Sequence, residues 1–161
     1  MEEIETLYRR HAPAVLRFAT GLCGDRSRAQ DIVSETFVRI LTRSPRIETQ
    51  TALAYLLAVA RNVFLSRGRA KRQEVPLPDD LRSHAVDPAA SLDERADLHA
   101  VLRALADLPE GERAALLLRV DHELSYEDVA ATLAISVNAA KVRVHRARLR
   151  LAAARGQKGN I

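Results

Sequence analysis

Apolar residues recur at three- and four-residue steps along most of the chain. No stretch alternates apolar and polar positions convincingly, so the pattern predicts helices and no strands. Leu7, His11, Ala14, Val15, Phe18 and Leu22 fall on one face of a first helix. Pro13 interrupts it and cannot donate to the carbonyl of Arg9, which predicts a kink or a late helix start. Gly24-Asp25 then breaks the chain. Asp25 or Ser27 can cap a second helix, with Ala29, Ile32, Val33, Thr36, Phe37, Ile40 and Leu41 on its apolar face. Arg43 to Thr51, with Ser44-Pro45, reads as a loop. A third helix carries Leu53, Leu56, Leu57, Ala60, Val63 and Phe64 on one side, and Gly68 is expected to weaken or end it.

Residues 73–90 hold Pro76, Pro78 and Pro88 with Asp79, Asp80 and Asp87 between them, a composition that resists helix and strand alike and predicts a flexible linker. Ser91 to Glu94 has capping-box spacing ahead of a helix with Leu98, Val101, Leu102 and Leu105. Leu108-Pro109 ends that helix, and Pro109 suits the first turn of the next, which carries Leu116 to Leu118 and Val120. Ser125-Tyr126-Glu127-Asp128 offers a cap and first-turn acids to a short helix with Val129, Ala130 and Leu133 inside. Ala134-Ile135-Ser136 is a three-residue break. Ser136 can cap a last helix lined inside by Val137, Ala140, Val144, Ala147 and Leu151. Its outward positions include Lys141, Val142, His145, Arg146 and Arg148. Two short helices across a tight turn, the second basic outside and apolar inside, have helix-turn-helix spacing. The expected fold is all-α: two small helical domains, 1–72 and 91–161, joined by the linker, each barely large enough for a core of its own.

Charge sharpens this division. The 161 residues carry 25 Lys+Arg and 21 Asp+Glu, a formal +4. Residues 1–74 hold 13 basic and 8 acidic side chains, 75–109 hold 3 and 7, and 110–161 hold 9 and 6. Arg61 to Arg72 has five positive charges and no acid, and Val129 to the end has seven and no acid. Such single-sign blocks point to a polyanion partner, against the alternative of two solvated helix faces. An α-helix fits the major groove of B-DNA, where Arg and Lys reach phosphates and guanine edges.

The same composition excludes other classes. Cys23 is the only cysteine, so there is no intramolecular disulfide and no thiolate-built metal site. It reads as a small buried apolar residue. The five His are scattered, there is no phosphate-binding Gly loop, and Cys23 has no nearby base, so neither catalysis nor a cofactor is expected. The longest apolar run, Ala52 to Ala60, has nine residues, too short to insert in a membrane. The start of the chain is acidic and unlike a signal peptide, so a cytoplasmic protein is expected.

With both halves in view, the chain resembles the sigma-70 family of RNA polymerase sigma factors, in its extracytoplasmic-function (ECF) group. The likeness rests on Asp31 to Arg39, on Tyr55 to Asn62, on Leu108-Pro109 with Arg113, on Leu124 to Ala130, and on His145 to Arg148. It implies a region 2 bundle of three or four helices and a region 4 helix-turn-helix. Asp31, Ser34, Glu35 and Arg39 would meet the clamp helices of the polymerase β′ chain, and region 4 the β flap. Tyr55, Arg61, Asn62, Arg67 and Arg69 would contact the minus-ten element, with the 43–51 loop holding its unpaired strand. Ser136, Lys141, Val142, Arg143, His145, Arg146 and Arg148 would serve the minus-thirty-five element. The linker would thread toward the active-site channel. The implied partners are core RNA polymerase, promoter DNA and a cognate anti-sigma factor. Tyr55 stands where the family often has Trp, and aromatics are 4% of the chain, which predicts weak promoter melting. Ala134 stands where the family has a turn Gly. The alternatives are a stand-alone helix-turn-helix regulator and a helical adaptor or anti-sigma-type protein.

Overall fold

The computed structural model describes residues 4–43, 49–73 and 92–159, with their side chains except at 70–73 and 157–159. All described regular structure is helical. Helix α1 spans Ile4–Cys23, α2 Arg26–Arg43 and α3 Ala52–Gln73. After the linker come α4 (Leu92–Ala106) and α5 (Glu110–Leu116), the latter running into a π turn, Leu117–Asp121. The last two are α6 (Tyr126–Leu133) and α7 (Val137–Gly159). Gln73, the first residue of the predicted linker, still belongs to α3; the rest of the linker and the Ser91 cap lie outside the described residues.

Local signals set most boundaries. Gly24 turns the chain at φ +74°. Asp25, only 7% exposed, then caps α2, its Oδ1 accepting from the N–H of Ser27 at 2.8 Å and of Arg28 at 3.3 Å. Helix α1 is continuous from Ile4 to Cys23 across Pro13, so there is no late start. Packing of Val15, Phe18 and Ala19, all fully buried, holds the helix where one hydrogen bond is lost. Helix α3 likewise runs past Gly68 to Gln73. A glycine in a helix interior costs only about 1 kcal/mol, and Arg67, Arg69, Ala70 and Lys71 around it are good helix formers. Pro109 takes the N-cap of α5 rather than its first turn.

Helices α1, α2 and α3 pack on one another around Phe18, Leu22, Ile32, Leu56, Leu57 and Val63. Helices α5, α6 and α7 pack around Leu118, Val129, Val144 and the alanines 114, 115, 140 and 147. The alanines let α5 and α7 approach closely. The buried side chains of the two small helical domains form one contiguous cluster. Two small halves gain buried area by sharing a boundary. At that boundary a Cβ on Gly21 would stand 2.8 Å from a Leu117 methyl, so α1 passes the π turn at glycine distance. Phe18 meets His122 edge to face, with ring centroids 5.7 Å apart. The Arg113 guanidinium donates to the carbonyls of Leu105 (2.9 Å) and Leu108 (3.0 Å) and to that of Leu22 at the end of α1. It thereby serves the C-terminal ends of two helices at once.

Helix α4 differs from its periodic pattern. Leu105 is buried and Leu102 half-buried, but Leu98 is 51% and Val101 55% exposed. Only the C-terminal end of this helix reaches the shared core. On α2, Leu41, expected inside, is 62% exposed.

Candidate polymerase and nucleic-acid interfaces

Helix α2 turns Ile32, Val33, Thr36 and Phe37 into the core, which leaves Asp31, Ser34, Glu35 and Arg39 along one outer strip. Asp31 and Ser34 are exposed. Glu35 is the charged centre of the strip. Its Oε2 accepts from Arg67 Nε on α3 at 2.6 Å and its Oε1 lies 3.5 Å from Arg39 Nη2. Partial burial opposes ionisation of Glu35. The hydrogen bond and charge of Arg67, with Arg39 behind them, outweigh it and hold the carboxyl below its ordinary range. Arg67 also lies 4.0 Å from Asp31. Thus Arg67, expected at DNA, is shared with the strip expected at polymerase.

Helix α3 separates the remaining minus-ten candidates. Asn62 and Arg69 are exposed, and Tyr55 is half-buried, burial pushing its hydroxyl pKa up. Arg61 faces the C-terminal half. Its Nε and Nη2 donate to the two carboxylate oxygens of Glu110 at 2.8 and 2.9 Å. Nearby, the N–H of Gln50 donates to Asp128 Oδ1 at 2.9 Å, tying the residues before α3 to the first turn of α6. Most of the 43–51 loop lies outside the described residues.

The C-terminal motif is built by its caps. Ser125 Oγ accepts from the N–H of Asp128 at 3.1 Å, and Ser136 Oγ from that of Ala139 at 3.1 Å. Between the helices Ala134 takes the left-handed conformation, φ 54° and ψ 45°, as expected of the turn position. Burial of Ala140, Val144 and Ala147 fixes the rotation of α7. Ser136, Lys141, Val142, His145, Arg146 and Arg148 are then exposed. The ammonium of Lys141 lies 5.7 Å from the Tyr126 ring, and Arg119 lies over the same ring at 4.3 Å. No described carboxylate pairs with Arg146 or Arg148. Arg143 is half-buried instead and lies over α5 at Gly111, where a Cβ would stand 2.7 Å from its Nη1. Arg150 pairs back to Glu112 at 2.8 Å.

Cys23 is half-buried, its thiol donating to the carbonyl of Asp25 at 3.2 Å. Burial pushes its pKa up, away from reactivity. Among the described residues no group of His, Cys, Asp and Glu is placed to hold a metal ion. None of the described helices is long and apolar enough to cross a membrane. Glu110 and Asp128 were not singled out as site residues from sequence. Both look like ordinary first-turn acids, and nothing local connects them to Arg61 or Gln50.

Comparison with known proteins bears on these surfaces. Residues 7–74 match the family model for sigma-70 region 2, and residues 98–151 that for sigma-70 region 4. The chain is 35% identical over 160 residues to the ECF RNA polymerase sigma factor SigE of Mycolicibacterium smegmatis, covering 94% of this chain and 61% of that one. Hence it spans less than two thirds of that relative's length. It is 30% identical over 152 residues to the ECF RNA polymerase sigma factor SigM of Bacillus subtilis, covering 93% of each. Its fold matches the sigma factor RpoE of Bartonella quintana, solved in complex with the anti-sigma factor NepR. The TM-score is 0.70 and the identity 31%, over 86% of this chain and 88% of that one.

Proposed function

The chain belongs to the extracytoplasmic-function group of the sigma-70 family of RNA polymerase sigma factors, and from that membership we propose that it joins core polymerase in the cytoplasm and directs promoter-specific initiation. Three surfaces divide the work. The α2 strip, centred on Glu35, docks on the β′ clamp helices. Tyr55, Arg61, Asn62, Arg67 and Arg69 of α3 take the minus-ten strand. The exposed face of α7, with Lys141, Val142, His145, Arg146 and Arg148, enters the major groove at minus thirty-five. Ser136 at the helix start offers a phosphate contact, and region 4 also meets the β flap. Arg143 supports α7 from behind through α5. The segment 73–90 connects the two halves toward the active-site channel, and RNA synthesis itself is the polymerase's chemistry.

The observation that carries this is the exposed basic face of α7 on a helix-turn-helix whose caps and left-handed turn are all in place. Region 2 and region 4 on one chain distinguish it from a stand-alone regulator. By likeness to the anti-sigma complex above, a cognate anti-sigma factor is its second protein partner.

Mixing the chain with core polymerase and a promoter library is the direct test. Specific initiation that depends on the chain is expected. Tight duplex binding by the chain alone, with no stimulation of polymerase, would replace this function with that of a regulator. With so few aromatics, open complexes are expected to form slowly on promoters that depart from the preferred minus-ten sequence.

A further inference from the structure

Burial of Ala140, Val144 and Ala147 turns one side of α7 inward. Asn138, Val142, His145, Arg146 and Leu149 follow one another along the opposite strip at three- and four-residue steps, and all are exposed. Two members of the strip are apolar: Val142, 44% exposed, and Leu149, 57% exposed. They stand at different places along the helix, Val142 in the second turn of α7 and Leu149 in the fourth. A helix-turn-helix meets base edges with the N-terminal residues of its second helix, so this order sets Val142 at the depth of the bases and Leu149 beyond them. A single exposed valine is ordinary on a protein surface. Val142 differs in its setting, between the exposed cations Lys141 and Arg146 on the face assigned to DNA.

A valine side chain neither donates nor accepts a hydrogen bond. Of the groups that base pairs show in the major groove, it can read only the C5-methyl of thymine. Its β-branched side chain is held to one χ1 rotamer in a helix, so both methyls are fixed before DNA arrives and little entropy is lost on contact. Arg146 gives the scale along the groove. It lies one turn further on, about 6 Å along the helix axis. Successive base pairs are about 3.4 Å apart, so the bases facing the two residues are about two base pairs apart at most. We propose that Val142 makes the minus-thirty-five face select a thymine, by packing on its C5-methyl within about two base pairs of the base that Arg146 contacts. The proposal rests on the sigma-factor function above and names the base chemistry that its groove face reads. Any base without that methyl leaves the valine against water or a polar edge.

The test uses holoenzyme formed from the full chain and core polymerase. A promoter library carried through rounds of binding yields the preferred minus-thirty-five element. Each thymine of that element, on either strand, is then replaced singly by deoxyuridine, which removes the methyl and nothing else. Competition binding reads the ratio of affinities for the thymine and uracil duplexes. For the wild type, one position is expected to show a ratio of about threefold to fourfold, the size that one buried methyl supports. It should lie within about two base pairs of the position at which Arg146→Ala loses its base preference. Val142→Ala should bring that ratio to one, and alanine is a good helix former at this exposed position. Leu149→Ala, on the same strip but two turns further on, should leave the ratio at its wild-type value.

A wild-type ratio of one at every thymine would overturn the proposal, and so would a preferred element without thymine. A methyl effect that survives in V142A, or that L149A removes, would overturn it as well, because another side chain then reads the methyl. A general loss of affinity in either variant cancels in the ratio, which is a double-mutant cycle between one side chain and one methyl. Wild-type initiation with core polymerase separates the two levels. Initiation without a methyl effect sinks the thymine assignment alone, whereas no initiation sinks the sigma-factor function beneath it.

Discussion

Helices α3 and α7 are both basic, amphipathic and assigned to promoter DNA, yet they hold their charges differently. On α3, Arg61 is gripped by Glu110 and Arg67 by Glu35, with Asp31 close by. On α7, His145, Arg146 and Arg148 are exposed, and no described carboxylate pairs with Arg146 or Arg148. Positive charge counted along a segment therefore measures attraction to phosphate only where no acid has arrived first. The acid that matters most on α3 comes from the other half of the chain. The largest test of the contrast lies beneath these charges, in the core the halves share. Phe18 is fully buried and touches His122 across the boundary. Phe18→Ala is expected to cost about 3–5 kcal/mol. In denaturant, probes in α2 and α7 should both shift to lower midpoint along one transition. An α7 that keeps its wild-type midpoint would mean that the halves fold independently.

The second test compares the two helices at DNA. Arg146→Ala removes an exposed side chain at the face proposed to enter the groove. It is expected to weaken holoenzyme binding by about 1–3 kcal/mol on the preferred minus-thirty-five sequence, with less effect on altered sites. Arg67→Ala should cost less, because Arg67 must first leave Glu35 to reach a phosphate. Its loss should lower the salt dependence of binding nearly alike on all sequences. Quantitative footprinting across salt concentrations distinguishes the two. Equal penalties with equal sequence dependence would erase the difference drawn here.

The features that sequence made readable are those whose cause lies within four residues. Ser125, Ser136 and Asp25 cap because a side-chain oxygen meets an N–H two or three residues on. The strips on α2 and α7 followed from periodicity, since burial of Ile32, Phe37, Val144 and Ala147 sets which residues face out. Periodicity does not say what an apolar face meets. Leu98 and Val101 share a face with Leu105, but the core ends before reaching them. Pairings between the halves were illegible for a different reason. Arg61 and Glu110 are 49 residues apart and Arg17 and Asp121 are 104 apart, and the spacing carries no trace of either contact.

His122 offers a smaller test, through pH. Its side chain is 3% exposed against Phe18, with Asp121 and Arg17 beside it. Burial pushes its pKa down and Arg17 adds to this, while Asp121 pulls the other way. The folded protein therefore holds this imidazole neutral where the unfolded chain, titrating near 6.5, takes up a proton. Stability from this group is full above that pH and declines as pH falls from there through the folded pKa. Glu35, also depressed, contributes in a lower window, and its share is lost only as pH falls below about 4.5. Unfolding midpoints measured between pH 7.5 and 5.5 should fall for the wild type and flatten in His122→Gln. An unchanged slope in the variant would place the proton uptake elsewhere.

The smallest effect is confined to the C-terminal half and concerns the turn that aims α7. Ala134 sits at φ 54°, where its Cβ crowds the backbone. Its N–H and that of Ile135 still close the end of α6 on the carbonyls of Ala131 and Ala130, so the turn is fully bonded and only the side chain is out of place. Glycine removes the crowding and gives back part of the gain as freedom in the unfolded chain. Ala134→Gly is expected to stabilise the protein by about 0.5–1 kcal/mol, a rise of roughly 1–4 °C in Tm. Minus-thirty-five affinity should stay unchanged, because the caps at Ser125 and Ser136 already fix both helices. A loss of affinity together with a gain in stability would mean instead that the strained turn sets the angle at which α7 meets the groove, as nothing strained does for α3.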